Sequence, residues 1–154
     1  MKRFDLESAL PYLLNRAGVG IGQAFSDQLA AFDINLPMWR VLASLLHQDG
    51  QRVTALSDHT SIEVSTLSRL VTSMEKRELL RRTVAPDDAR AVSVTLTEKA
   101  RDLAWKIVPL AELYERIALA HISPEEAVIL KRLLTQVHEN IASVAVHAKP
   151  TLEK

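Results

Sequence analysis

Between Ser65 and Thr72 the chain sets four short hydroxyl side chains, Ser65, Thr66, Ser68 and Thr72, around one guanidinium, Arg69. No carboxylate follows until Glu75. Hydroxyls and a guanidinium donate hydrogen bonds at short range, which suits phosphates and base edges, and a carboxylate there would be repelled. A second basic residue, Arg90, follows Ala85-Pro86-Asp87-Asp88-Ala89, a loop of turn formers, and Asp88 is placed to hold it by an ion pair. Other chemistry is poorly supplied. The histidines at 47, 59, 121, 138 and 147 never fall four apart or beside a carboxylate cluster, and there is no cysteine. No nucleophile motif or glycine-rich phosphate loop is present, so no catalytic residue, metal site or cofactor is expected.

These side chains need a helix and a hairpin to present them. Val64, Leu67, Leu70, Val71 and Met74 recur with period 3.6, one apolar stripe, with the hydroxyls and Arg69 on the other side. After Lys76-Arg77 the period drops to 2: Leu80, Arg82, Val84 and then Val92, Val94, Leu96 alternate as strands do. Helix plus charged hairpin predicts a winged helix-turn-helix, with the helix in a major groove and the hairpin on the flanking backbone or minor groove. Arg81 and Arg82 fall on opposite strand faces, so at most one reaches phosphate.

The order and spacing of Ser68-Arg69-Leu70-Val71, Met74-Glu75-Lys76-Arg77, Leu79-Leu80-Arg81-Arg82, Pro86-Asp87-Asp88-Ala89-Arg90 and Leu96-Thr97-Glu98-Lys99 resemble the MarR-type transcriptional regulators. The resemblance extends through the flanking helices over nearly all of the chain. It departs at Glu78, where the family commonly has a glycine closing the recognition helix, and at Val84-Ala85, which replace a frequent charged pair. The resemblance implies a symmetric dimer built from helices one, five and six, and release of DNA when a small aromatic or phenolic anion binds beside the dimer helices. It also implies DNA contact by Ser65, Thr66, Ser68, Arg69 and Thr72 in the helix and by Asp88 and Arg90 in the wing. Peroxide sensing through a thiol, used by some relatives, is impossible without cysteine.

The rest of the chain fits that frame. Asp5 is expected to cap a first helix running to about Phe32, with Pro11 near its start. Gly18, Gly20 and Gly22 cost that helix about 3 kcal/mol relative to alanine, which points to close helix packing or to room for a ligand. Asn35-Leu36-Pro37 starts a second helix with Met38, Leu42, Leu45 and Leu46 inward, and Asp49-Gly50 ends it. Arg52-Val53 predicts a short strand joining the wing sheet, and Thr54 a cap for a short helix to about Thr60. Thr97 caps a fifth helix to about Ala120, kinked at Pro109. Ser123-Pro124-Glu125-Glu126 signals the last helix, and Lys149–Lys154 reads as a tail.

With 154 residues, 47% of them hydrophobic, the chain has enough apolar content for one core with helical extensions. No apolar run is long enough for a membrane span, and no signal-peptide core follows Met1, so a cytoplasmic protein is expected. Net charge is zero, but its distribution is uneven: 5 basic and 7 acidic residues over 1–63, 8 and 5 over 64–101, and 6 and 7 over 102–154. Only the proposed DNA-binding segment is positive.

The expected fold is therefore mainly α with a small β-hairpin: a winged helix-turn-helix domain over 35–96, a dimerisation helix over 1–34, dimerisation helices over 97–148, and a tail over 149–154. The expected function is a homodimeric repressor of a palindromic operator in double-stranded DNA, with a winged-helix protein–protein module as the alternative. Tyr12, Arg16, Trp39 and Arg40, with His47, are candidate linings for an aromatic anion: aromatic faces for a ring, guanidinium for a carboxylate or phosphate. The run from Leu10 to Gly18 is similar to regulators that respond to aromatic acids or aryl-CoA thioesters.

Overall fold

Two prolines and one asparagine set where the first helices begin. In the computed structural model, which describes residues 4–85 and 88–147 (backbone alone at 85, 88–91 and 145–147), helix α1 spans Leu10–Leu29 with Pro11 in its first turn. Asp5 does not cap it. Its carboxylate accepts a hydrogen bond from the Glu7 N–H at 3.1 Å in a separate turn, and the capping position falls to Ala9, which has no side-chain acceptor. The pyrrolidine ring fixes the helical φ where a side-chain cap is missing. A 3-10 turn, Ala30–Phe32, carries α1 on to Asp33, whose φ of 54° turns the chain. Helix α2, Leu36–His47, starts as expected: the Asn35 side chain accepts from the Met38 N–H at 2.9 Å.

Gly50, at φ 73°, turns the chain into β1, Gln51–Arg52, and α3 follows immediately as Val53–Thr60. The short strand thus lies one residue earlier than expected, and α3 begins before Thr54 with Arg52 at its capping position. Ser61, at φ 54°, leads into α4, Val64–Lys76. Strands β2, Leu80–Ala85, and β3, Asp88–Leu96, form the wing in a three-stranded antiparallel sheet ordered β1-β3-β2. Leu80, Arg82 and Val84 face Leu96, Val94 and Val92, which is the alternation the sequence carries, with an irregularity after Val84.

The core collects one face each of α1, α2, α3, α4 and α5 and of the β2–β3 hairpin. Leu29, Met38, Val41, Leu42, Leu45, Leu56, Leu67, Val71, Met74, Val94, Ala104 and Ile107 are all buried. Helix α5, Glu98–Ala118, ends two residues earlier than expected and is unbroken, with Pro109 inside it. Ala100, Ala104 and Ile107 belong to this core, so the packing does not break at residue 97. The chain packs as two compact units, Met1–Glu115 and Arg116–Lys154. In the second, α6, Pro124–His147, opens with a complete capping box: Ser123 Oγ accepts from the Glu126 N–H at 3.2 Å, and Glu126 accepts from the Ser123 N–H at 2.9 Å. The expected tail, Lys149–Lys154, lies outside the described residues.

Where α4 meets the wing, the chain is closed on several sides. The Glu78 N–H donates to the Glu75 carbonyl at 2.8 Å and the Leu79 N–H to the Met74 carbonyl at 3.0 Å, the two bonds of a Schellman turn. Glu78 takes the left-handed position at φ 59° that glycine fills more easily, so the departure from the family pattern keeps the geometry. Thr97 ties the same turn to α5. Its N–H donates to the Leu79 carbonyl at 3.0 Å and its hydroxyl to the Glu78 carbonyl at 2.8 Å, while the Ala100 N–H donates back to that hydroxyl at 3.1 Å. The Lys99 ammonium adds a bond to the Arg77 carbonyl at 3.0 Å.

Candidate nucleic-acid interface

Helix α4 buries Leu67, Val71 and Met74 and so commits its opposite face to solvent. At 3.6 residues per turn, Ser65, Arg69 and Lys76 occupy the middle of that outward face, with Thr66 and Ser73 on one flank and Ser68 and Thr72 on the flank toward the wing. All seven are exposed. Arg69 makes no hydrogen bond or ion pair among the described residues, so its guanidinium is available to a ligand. Ser73 and Lys76 were not among the residues singled out from sequence, although the same helical period places them there.

Two of the expected contacts are already engaged. Glu63 caps α4, accepting from the backbone N–H groups of Ser65 at 3.0 Å and Thr66 at 3.2 Å, and from the Ser65 hydroxyl. The Ser65 hydroxyl, then these two N–H groups, hold the Glu63 carboxyl below its ordinary value. Ser65 therefore offers a ligand its lone pairs more readily than its proton. Thr72 is directed at the wing: its Oγ1 donates to the Ser68 carbonyl at 2.9 Å and accepts from Arg82 Nη2 at 3.1 Å.

Arg82 spans the helix. Its Nη1 meets Glu75 Oε2 at 2.6 Å, its Nη2 also reaches the Ser68 carbonyl at 3.0 Å, and its own N–H donates to Glu75 Oε1 at 3.0 Å. Of the two wing-base arginines, Arg81 is the exposed one. Asp88 and Arg90 lie on β3, but their side chains, and so the expected ion pair, lie outside the described residues.

The candidate effector residues do not converge on one cavity. Trp39, Arg40 and His47 line a groove of about 650 Å³ with Ser44, His59 and Ser61, between α2 and the end of α3. Arg40 also borders a groove of about 470 Å³ along α1, where Gly18 and Gly22 face Leu36. The glycines differ: a Cβ at Gly22 would come within 3.0 Å of the Leu36 side chain, the close packing one reading expects, whereas one at Gly18 would meet nothing within 4 Å. Tyr12 and Arg16 line neither groove. They pair along α1, the guanidinium 5.5 Å from the ring centroid.

Trp39 packs edge-on against Phe25 at 5.8 Å, and Phe25 in turn against Tyr114 at 5.7 Å, an aromatic set drawn from three helices that local spacing does not reveal. His59 was also passed over. Its Nδ1 lies 2.6 Å from Gln51 Oε1, and Gln51 Nε2 donates to the carbonyls of Ser44 at 2.8 Å and Gln48 at 2.7 Å. With the amide so oriented, His59 must carry its proton on Nδ1 when neutral. A third cleft, about 860 Å³, is bordered by Lys76, Arg77, Lys99 and Lys106 together with Asp33, Glu78 and Asp102. Among the described residues no group of three or more histidine or acidic side chains is placed to hold a metal ion, and no single helix is long and apolar enough to cross a membrane.

Known proteins resemble this arrangement. The MarR family model matches residues 34–92, the segment that contains α2 through most of the wing. The transcriptional regulator TtmR of Methylorubrum extorquens is 29% identical over 103 residues, 67% of this chain and 53% of that protein, so the match spans about half of TtmR's length. The transcriptional repressor IacR of Pseudomonas putida is 25% identical over 134 residues, 86% of this chain and 80% of that one. The solved structure of BpsR from Bordetella bronchiseptica, described with the regulation of its DNA binding by 6-hydroxynicotinic acid, superposes with a TM-score of 0.80 at 25% identity over 89% of this chain and 98% of that one. The exposed, acid-free face of α4 beside a hairpin wing, the family match over that unit and the shared fold point the same way: residues 34–92 carry a MarR family domain, and the chain is similar to MarR-type DNA-binding transcriptional regulators.

Proposed function

We propose that the chain is a cytoplasmic homodimeric repressor that binds a palindromic operator and is released by a small aromatic anion. The observation that carries the dimer is apolar surface. On α6 alone, Val128, Ile129, Leu130, Leu133, Leu134, Ile141 and Val144 are exposed, and Leu10, Leu13 and Ile21 on α1 and Leu113 and Ile117 on α5 add to them. Contiguous apolar stripes of this size call for a partner surface, and a second copy supplies the same stripes. Residues 1–34 and 97–148 are then the dimerisation helices and 35–96 the DNA-binding part. Two α4 helices related by a twofold axis read two half-sites about 34–36 Å apart.

Ser65, Thr66, Ser68, Arg69, Ser73 and Lys76 are the proposed helix contacts, with Thr72 a marginal one, and Asp88 and Arg90 the wing contacts. For the effector, the groove at Trp39, Arg40 and His47 offers an aromatic wall and cationic or hydrogen-bonding groups for a carboxylate, and BpsR is described with a hydroxylated aromatic acid. Such a ligand lowers DNA affinity only by its preference for the conformation with wrongly spaced helices, and Pro109 in α5 is the proposed flex point.

The test is fluorescence anisotropy with duplex from immediately upstream of the gene, across a salt series, alongside the mass of the free protein in solution. A dimer with salt-dependent nanomolar binding, weakened by Arg90→Ala and by added aromatic acids, is the expected result. A monomer, or binding no tighter than to random DNA, would overturn it.

A further inference from the structure

Arg82 and Glu75 form the densest polar contact between the wing and α4, and neither carboxylate oxygen is left over. One accepts from the Arg82 backbone N–H at 3.0 Å and the other from its guanidinium at 2.6 Å. The same guanidinium reaches the Ser68 carbonyl and the Thr72 hydroxyl, so strand β2 grips α4 at residues 68, 72 and 75, one stripe two turns long. Both side chains are about 70% covered, 30% and 27% exposed. The pair is neutral and gives phosphate little that is free.

We propose that Arg82 and Glu75 are positioning residues for sequence discrimination: they fix the rotation of α4 about its axis against the wing, and so aim Arg69 and Ser73 at base edges without touching DNA themselves. The proposal rests on α4 being the element that reads bases. Affinity for any duplex comes from phosphate contacts, whereas sequence readout needs side chains held at fixed positions. Loosening the grip should therefore cost discrimination and leave the count of phosphate contacts unchanged.

The test uses the full chain, a duplex that the wild type selects from a random pool, and a scrambled duplex of the same composition, each titrated by anisotropy across a salt series. Arg82→Gln and Glu75→Gln change net charge in opposite directions, so their effects on scrambled DNA should have opposite signs, weaker for the first and tighter for the second. Both should lower the selected-to-scrambled ratio by about tenfold, the order expected for one misplaced bidentate contact, with the salt slope unchanged. Loss of folded protein cancels in this ratio, so a purely structural role would leave it at the wild-type value and overturn the proposal. Arg82→Lys keeps the charge without the fork and should behave as Arg82→Gln does on the selected duplex. A slope reduced by about one in Arg82→Gln, with Glu75→Gln retaining full discrimination, would make Arg82 a phosphate contact and overturn the proposal. An Arg69→Ala variant that binds the selected duplex as the wild type does would remove α4 from the interface, and the proposal with it.

Discussion

Asp49 offers a test of how the wing is rooted. The register that pairs Gln51 with Val94 puts residue 49 opposite Leu96, before β1 begins. The Asp49 side chain fills the vacancy in the ladder: Oδ1 accepts from the Leu96 N–H at 3.0 Å, and Oδ2 meets Arg101 on α5 at 2.6 Å. Leu96 is 8% exposed. In Asp49→Ala its N–H loses this acceptor in a buried setting, which costs about 1–3 kcal/mol. The ion pair adds little, because Asp49 and Arg101 are 32% and 43% exposed and solvent screens them; such pairs contribute roughly 0–1 kcal/mol. Together they come to about 1–4 kcal/mol for alanine. Asp49→Asn keeps an acceptor for Leu96 and loses only the charge, for about 1 kcal/mol or less. Urea unfolding at one fixed protein concentration measures both, since the proposed dimer would link stability to concentration. Equal losses in the two variants would show that the ion pair and not the ladder bond matters, and a loss under about 0.5 kcal/mol in alanine would refute the reasoning altogether.

Other outcomes follow from the same geometry. Ser73→Asp puts a carboxylate on the exposed flank of α4 beside Arg69 and should weaken binding to every duplex by about 1 kcal/mol or more in anisotropy titrations. Glu63 and Glu126 are both held below the ordinary glutamate value of 4.5 by the hydrogen bonds of their helix caps. Their stabilisation is thus complete above that value and lost as pH falls through the lower folded values; amide exchange in the first turns of α4 and α6 should rise on acidification, and Glu63→Gln and Glu126→Gln should remove that pH dependence. Leu133→Glu, in the middle of the exposed stripe of α6, should convert a dimer to a monomer by light scattering, and an unchanged mass would take α6 out of the interface. Glu78→Gly relieves a left-handed residue of about 1–2 kcal/mol, partly offset by the entropy of glycine in the unfolded chain, so unfolding should shift upward by about 0.5–1 kcal/mol.

Features encoded within a few residues were legible in the sequence. Asn35 with Pro37, and Ser123 with Glu126, satisfy helix N–H groups three residues away, so the chemistry and its signal share one short stretch. The hydroxyl face of α4 and the alternation of the wing followed from their periods. Asp5 misled because an acid before an apolar run resembles a cap, yet it closes a local turn and Pro11 supplies the start. The grip of Arg82 on Glu75 and Thr72 was not legible, because it depends on how a strand folds back past a Schellman turn. The clue was present nonetheless: Glu75 is the first acid on a helix otherwise free of it. Likewise the stack of Trp39, Phe25 and Tyr114 joins residues up to 89 positions apart, and no local pattern announces it.

The closed turn between α4 and the wing has a consequence for which operators can be read. The hydrogen bonds through Glu78, Leu79, Thr97 and Lys99, with the Arg82 grip beyond them, tie helix and wing base into a single caliper. If α4 and the wing both meet DNA, as proposed, the distance along DNA between their contacts should be set by this turn and should not change when an effector is added. For a protein that binds paired half-sites as proposed, variation among operators should then fall in the spacer, while the length of each half-site stays fixed.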